Sequence, residues 1–206
     1  MFKEENSIKI ILLGETGTGK TNLIGTCCGL EFNPESNSSS TASFLEKKVL
    51  INNTKFCLNL WETAGQEKFR SLNSIFIKDS QICILVYDIT NRKSFEELDY
   101  WKKTIEEKLG DKPLLAVAAN KIDLYETEQV TEEEGKEYAE KIGASFSVTS
   151  AKKEPEGFDT YVLELVKKFL EKNKFNQWEF VPEDRVKISN DNGMVKKKKK
   201  TYLCLI

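Results

Sequence analysis

Gly14-Glu15-Thr16-Gly17-Thr18-Gly19-Lys20-Thr21 has the pattern G-x-x-x-x-G-K-[ST]. It sits between the apolar run Ile8-Lys9-Ile10-Ile11-Leu12-Leu13 and the helical stretch that opens Asn22-Leu23-Ile24. Each residue type answers a need of phosphate chemistry. Glycines let successive backbone N–H groups turn inward as an anion nest, and the N-terminus of the following helix adds partial positive charge. Lys20 has the length to reach outer phosphates, and the Thr21 hydroxyl is a ligand for Mg2+. The plain alternative is a Gly/Thr turn with no ligand, but the full pattern between a strand and a helix argues against it. Thr16, Gly17, Thr18, Gly19, Lys20, Thr21 and Asn22 are therefore candidate nucleotide-binding residues.

A second motif selects a base. The apolar run 114–119 leads into Asn120-Lys121-Ile122-Asp123. A carboxylate at Asp123 can accept two parallel hydrogen bonds from guanine N1–H and N2–H2. Adenine lacks that donor pair and would leave the carboxylate unpaired. Asn120 can tie this segment to the phosphate loop, and the stem of Lys121 can lie across the base plane. Ser150-Ala151-Lys152 follows the last strand-like run, where a backbone N–H can meet guanine O6; alone, that triplet is a weak signal.

The elements that position these motifs alternate between strand and helix. Residues 44–51 and 54–61 read as strands joined at Asn52-Asn53, a pair that tolerates the positive φ of a tight hairpin. Residues 82–87 and 114–119 are continuous apolar runs, as in central strands covered on both faces. Ser94-x-x-Glu97 and Thr131-x-x-Glu134 read as capping boxes opening two helices. Residues 144–148 form a further strand and 158–170 a final amphipathic helix. The expectation is one α/β domain over 1–174, with a mostly parallel sheet of about six strands, one antiparallel edge strand and helices on both faces. Ligands of such sheets bind beyond the carboxyl ends of the strands, where all the motifs above lie. Residues 29–43 and 62–67 read as polar loops.

Composition narrows the class. A chain of 206 residues suits one domain and a tail. The absence of histidine excludes His-based triads and most zinc sites, and the five cysteines have neither zinc nor disulfide spacing. No apolar window has the length of a membrane span, and the charged first residues lack the core of a signal peptide, so a cytoplasmic protein is expected. Of 31 basic residues five form the run 196–200, leaving 26 against 33 acidic ones, a net of −7 for the body. A nucleic-acid binder is not expected from such a body, whereas a basic tail points to an anionic membrane surface.

With Trp61-Glu62-Thr63-Ala64-Gly65-Gln66-Glu67 in place, the chain resembles a Ras-superfamily small GTPase, and within that group a Rab, over about residues 7–172. Its Rab-like marks are Leu60-Trp61, Lys68-Phe69-Arg70-Ser71-Leu72 and Leu85-Val86-Tyr87-Asp88-Ile89-Thr90. Ala42-Ser43-Phe44-Leu45 is similar to the switch region of endosomal Rabs. The resemblance implies a P-loop GTPase fold and a monomeric GTP/GDP switch with Mg2+ that hydrolyses GTP slowly. It also implies an exchange factor, a GTPase-activating protein and effectors acting through the switch loops in vesicle trafficking. It further implies that Gly65 bonds the γ-phosphate, that Gln66 orients the attacking water, that Phe32 packs against guanine and that Ser39 is the second Mg2+ hydroxyl. For Gln66 the alternative is a solvated loop residue, and for Phe32 a core aromatic.

Two departures from that pattern matter. The family's aspartate after the tryptophan is Glu62, whose extra methylene extends the carboxylate by about 1.5 Å. The family's Thr-Ile-Gly is Ser39-Ser40-Thr41, which also offers Thr41 as an alternative hydroxyl. Both changes predict weaker Mg2+ binding and leave open a rival reading, a GTP-binding module with little or no hydrolysis. A P-loop nucleotide kinase is a poorer rival, because only Arg70, Arg92 and Arg185 could supply its lid.

Beyond residue 174 the periodicity stops, and 175–206 reads as a flexible variable tail carrying Trp178, Phe180, the lysine run and Cys204. Cys204 is third from the end, so a C-a-a-X box is not met, but a cysteine after a basic run is the two-signal arrangement of a lipid anchor. Cys204 is the candidate prenylation site. The expected location is the cytosolic face of an intracellular, endosomal membrane.

Overall fold

The computed structural model describes residues 6–35, 43–51, 54–63, 75–173 and 180–182. Five strands run parallel: β1 (Asn6–Leu13), β3 (Thr54–Glu62), β4 (Ile82–Asp88), β5 (Leu114–Asn120) and β6 (Ser145–Thr149). β2 (Ser43–Ile51) pairs antiparallel with β3, and its pairing of Ile51 with Thr54 places the hairpin where the asparagine pair predicts it, although Asn52 and Asn53 lie outside the described residues. These are the six expected strands. A seventh, β7 (Phe180–Pro182), comes from the segment read as tail and pairs antiparallel with the outer side of β2, so the sheet order is β6-β5-β4-β1-β3-β2-β7.

Both faces of the sheet are covered, which is why β4 and β5 are nearly continuous apolar runs. On one face α1 (Lys20–Cys27) and α5 (Pro155–Lys172) bury Leu23, Ile24, Phe158, Val162, Leu165 and Val166 against Ile10, Leu58, Ile84 and Ala118. On the other face α3 (Leu98–Leu109) and α4 (Glu132–Lys141) bury Trp101, Ile105 and Ala139 against Ile11, Leu85, Tyr87 and Val117. Each fully buried Leu or Ile contributes about 1.5–3 kcal/mol, so the two faces dominate the stability.

The two capping predictions fare differently. Thr131 accepts from the Glu134 N–H while the Glu134 side chain reaches back to the Thr131 N–H, the reciprocal box expected at α4. The box at Ser94 does not form. Asn91 caps the short helix α2 (Arg92–Glu96), and a separate helix, α3, begins after Glu97. The Ser94 hydroxyl turns instead to the end of β4, accepting from the Asp88 N–H at 3.0 Å and donating to the Asn91 carbonyl at 2.7 Å. Asn91 caps one turn earlier by accepting from the Ser94 N–H, which draws Ser94 into the helix, and the Glu97 N–H that a cap at Ser94 would need donates to the Lys93 carbonyl instead.

Candidate functional site

The phosphate loop folds as it does because of its glycines. A Cβ on Gly14 would stand 2.1 Å from the Val86 carbonyl oxygen, so only glycine lets the loop leave β1 beside β4. Gly19 sits at φ +91, and a Cβ there would stand 2.5 Å from Asn120 Nδ2. Gly19 is also the residue before α1; that helix has neither a capping side chain nor an acidic residue in its first turn, which leaves its positive end to an external anion.

Lys20 is 5 % exposed and donates to the Gly14 and Glu15 carbonyls at 2.9 and 2.8 Å. Burial pulls its pKa down to about 8, against the opposing pull of the Glu62 and Glu15 carboxylates. Thr21 donates its hydroxyl proton to Glu62 Oε2 at 2.7 Å, and the Glu62 side chain is buried at 1 % exposure. A hydroxyl beside a buried carboxylate is an all-oxygen donor set, which suits a hard cation such as Mg2+ that binds through few protein ligands together with phosphate. Among the described residues no cluster of three or more His, Cys, Asp or Glu offers a metal site by itself.

The base-reading segment meets the phosphate loop directly. Asn120 is buried, donates to the Thr18 carbonyl at 2.8 Å and accepts from the Thr149 hydroxyl at 3.2 Å. The Ser150 hydroxyl donates to Asp123 Oδ1 at 2.6 Å and accepts from the Lys153 N–H, so the triplet after β6 orients the carboxylate after β5. Lys121 follows β5 in a left-handed conformation and places its Nζ 2.6 Å from Asp88 Oδ2.

One cleft of about 320 Å³ collects these groups, a volume typical of small-ligand sites. Thr16, Gly17, Gly19, Lys20, Thr21 and Asn22 line one end and Asn120, Lys121, Asp123, Ala151 and Lys152 the other. Thr18 and Ser150 stand behind the lining as buried hydrogen-bonding supports. Phe32 both lines the cleft and packs on the core, so the two readings of it coexist. The loop that carries it is clasped by Asn22, which exchanges two 3.0 Å hydrogen bonds with the Asn33 backbone. Ser39, Thr41, Gly65, Gln66 and Cys204 lie outside the described residues. The sequence reading missed Pro34, Thr63 and Leu124 as lining residues; they sit one to two positions from recognised ones.

A second feature lies away from the cleft. Phe44 and Trp61 pack at a tilt of 38° with centroids 4.7 Å apart, Phe76 lies 6.0 Å from Trp61, and the Lys9 ammonium sits 5.2 Å over the Trp61 ring. These half-buried rings come from β2, β3 and the segment just before β4.

The sequence model of the Ras family matches residues 9–171. The chain belongs to that family. It is 41% identical over 165 residues to Ras-related protein Rab-21 of Homo sapiens, covering 80% of this chain and 73% of that protein. The Rab-21 of Geodia cydonium is also 41% identical over 165 residues, 72% of its length. Ras-related protein Rab-22A of Homo sapiens is 38% identical over 145 residues, 70% of this chain and 75% of that protein. As a divergent Rab-type member of the Ras family, the chain is a small GTPase, a GTP-hydrolysing switch of membrane trafficking. Ras-family GTPases bind guanine nucleotide with Mg2+ and work through regulators and effectors.

Proposed function

We propose that residues 1–174 are the G domain and that the cleft holds GTP or GDP, with phosphates on residues 16–22 and guanine against Asp123. The observation that carries this reading is the meeting of the phosphate loop with Asn120, Asp123 and Ala151 in one cleft. Asp123, already oriented by Ser150, accepts from guanine N1–H and N2–H2; the Ala151 N–H meets O6, Lys152 flanks the base, and Phe32 closes one side. Thr21, assisted by Glu62 and by Ser39, holds Mg2+, which when bound offsets phosphate charge. Gly65 bonds the γ-phosphate and Gln66 orients the hydrolytic water, with slow turnover in the absence of an activating protein. Exchange factor, activating protein and effectors engage the switch loops, and the aromatic face of Phe44, Trp61 and Phe76 supports an apolar effector contact beside them. The variable tail, 175–206, carries the protein as a monomer to the cytosolic face of an endosomal membrane through its lysine run and a prenylated Cys204. Among the described residues no helix is long and apolar enough to cross a membrane.

The test is retention of GDP over ADP, followed by single-turnover GTP hydrolysis with Gln66→Leu as the slow control. Equal retention of the two nucleotides would sink the guanine assignment. A second reading, retention without turnover, is favoured by the direct Thr21–Glu62 contact; hydrolysis no faster than in the Gln66→Leu control would establish it. Mass spectrometry of the C-terminal peptide from native cells tests the lipid anchor, and an unmodified Cys204 refutes it.

A further inference from the structure

Asp88 ends β4 and does not line the cleft, yet its carboxylate is fully engaged next to it. Oδ1 accepts from the Thr90 N–H at 2.9 Å and from the Thr90 hydroxyl at 2.7 Å, while Oδ2 faces Lys121 Nζ at 2.6 Å. The side chain of Asp88 is 9% exposed and that of Lys121 34%, so the pair is only partly screened by water. The sheet fixes this juxtaposition: Asp88 is in register with Asn120, and the Ile89 N–H donates to the Asn120 carbonyl at 3.1 Å. Lys121 is therefore the first residue past a strand whose neighbour ends in a carboxylate.

The stem of Lys121 has a second fixed point. Its Cε lies 3.9 Å from where a Cβ on Gly19 would stand, so the methylenes run along the phosphate loop before the ammonium reaches Asp88. Its backbone sits at φ 67, which a non-glycine residue holds only where the surroundings over-determine it. An unpaired lysine stem samples many rotamers and would have to be ordered each time a base packed against it.

We propose that Asp88 is a positioning residue for nucleotide retention: by pinning the ammonium it holds the Lys121 stem across the cleft as a preformed surface for the base. The proposal rests on the guanine reading of the cleft. It assigns to Asp88 no contact with nucleotide and no part in hydrolysis. Preorganisation of this kind appears mainly in the dissociation rate.

The experiment measures release of fluorescent GDP from the full chain and from Asp88→Asn, Asp88→Glu, Lys121→Ala and the Asp88→Asn/Lys121→Ala double variant, with ADP as the base control. Asparagine keeps an oxygen for Thr90 but cannot neutralise the ammonium. The expected result is GDP release about tenfold faster in Asp88→Asn. Partial recovery is expected in Asp88→Glu, and no further acceleration when Asp88→Asn is added to Lys121→Ala. Wild-type release from Asp88→Asn overturns the proposal. So does an Asp88→Asn effect that persists undiminished without Lys121, because that would place its action in the Thr90 turn. A wild-type chain that retains GDP no better than ADP overturns the guanine reading and this proposal with it.

Discussion

The Thr21 hydroxyl donates to Glu62 Oε2 at 2.7 Å, joining the first turn of α1 to the end of β3 by a direct bond. An aspartate on the same backbone would stop about 1.5 Å short, leaving room for a water between carboxylate and hydroxyl. Glu62→Asp is therefore expected to lower the Mg2+ concentration for half-maximal GDP retention by roughly tenfold, the scale on which the neighbours of metal ligands act. Titrating GDP release against free Mg2+ measures it, and superimposable curves for the two proteins would refute the role assigned to the longer side chain.

Lys20 supplies a pH dependence. Burial lowers its pKa to about 8, with Glu62 and Glu15 opposing. A phosphate brought beside the ammonium adds negative charge and raises that pKa, so the complex binds the proton more tightly than the protein alone. Affinity for GDP is then greatest below pH 8 and falls as pH rises through 8 towards the higher pKa of the complex, by at most about tenfold per pH unit for one proton. Isothermal titration between pH 7 and 9 should give that slope, and Lys20→Met should bind weakly and without it. A flat profile in the unaltered chain would contradict the linkage.

Packing between α4 and β4 offers a test far from the cleft. A Cβ on Gly135 would stand 2.3 Å from the Tyr87 hydroxyl oxygen and 2.7 Å from Phe146 Cε2. The Tyr87 hydroxyl is buried without a hydrogen-bond partner among the described residues. Gly135→Ala should cost about 1–3 kcal/mol by overpacking. Tyr87→Phe should be neutral or stabilising, because it removes a desolvated group that returns no bond. Combined, the two should cost less than the sum of their separate effects, and urea melts giving strict additivity would show that the alanine methyl is accommodated elsewhere.

The sequence made the phosphate loop, the Asn120–Asp123 segment and the buried strands legible because each is local: a short pattern with one periodicity decides it. The reciprocal cap at Thr131 is local in the same sense. The box at Ser94 has the same signature, and its surroundings override it, since Asn91 caps the helix one turn earlier, the Glu97 N–H donates to the Lys93 carbonyl and the end of β4 takes the Ser94 hydroxyl. Asp88 and Lys121 are 33 positions apart and meet only through the β4–β5 register, which no window of sequence contains. Glu62 could be recognised as a departure from its family, but its bond to Thr21 needs the β1–β3 alignment that sets the two side by side. β7 escapes because three residues carry too little pattern to separate a strand from a tail.

The pairing of Phe180–Pro182 with Val49, Leu50 and Ile51 gives the last prediction. β2 would otherwise present its outer N–H and C=O groups unpaired, and an open edge is a template for another chain. β7 blunts that edge and then ends at Pro182, which lacks an N–H to extend the ladder. Replacing the three residues by glycine (Phe180→Gly, Val181→Gly, Pro182→Gly) removes the strand preference and restores a freely rotating backbone. Hydrogen exchange should then accelerate at residues 49–51 while β1 and β4, buried in the middle of the sheet, keep their protection. Global stability should change by less than about 1 kcal/mol, because a three-residue edge strand adds few bonds. Unchanged exchange at 49–51 would mean that the edge of β2 draws no protection from the segment after α5.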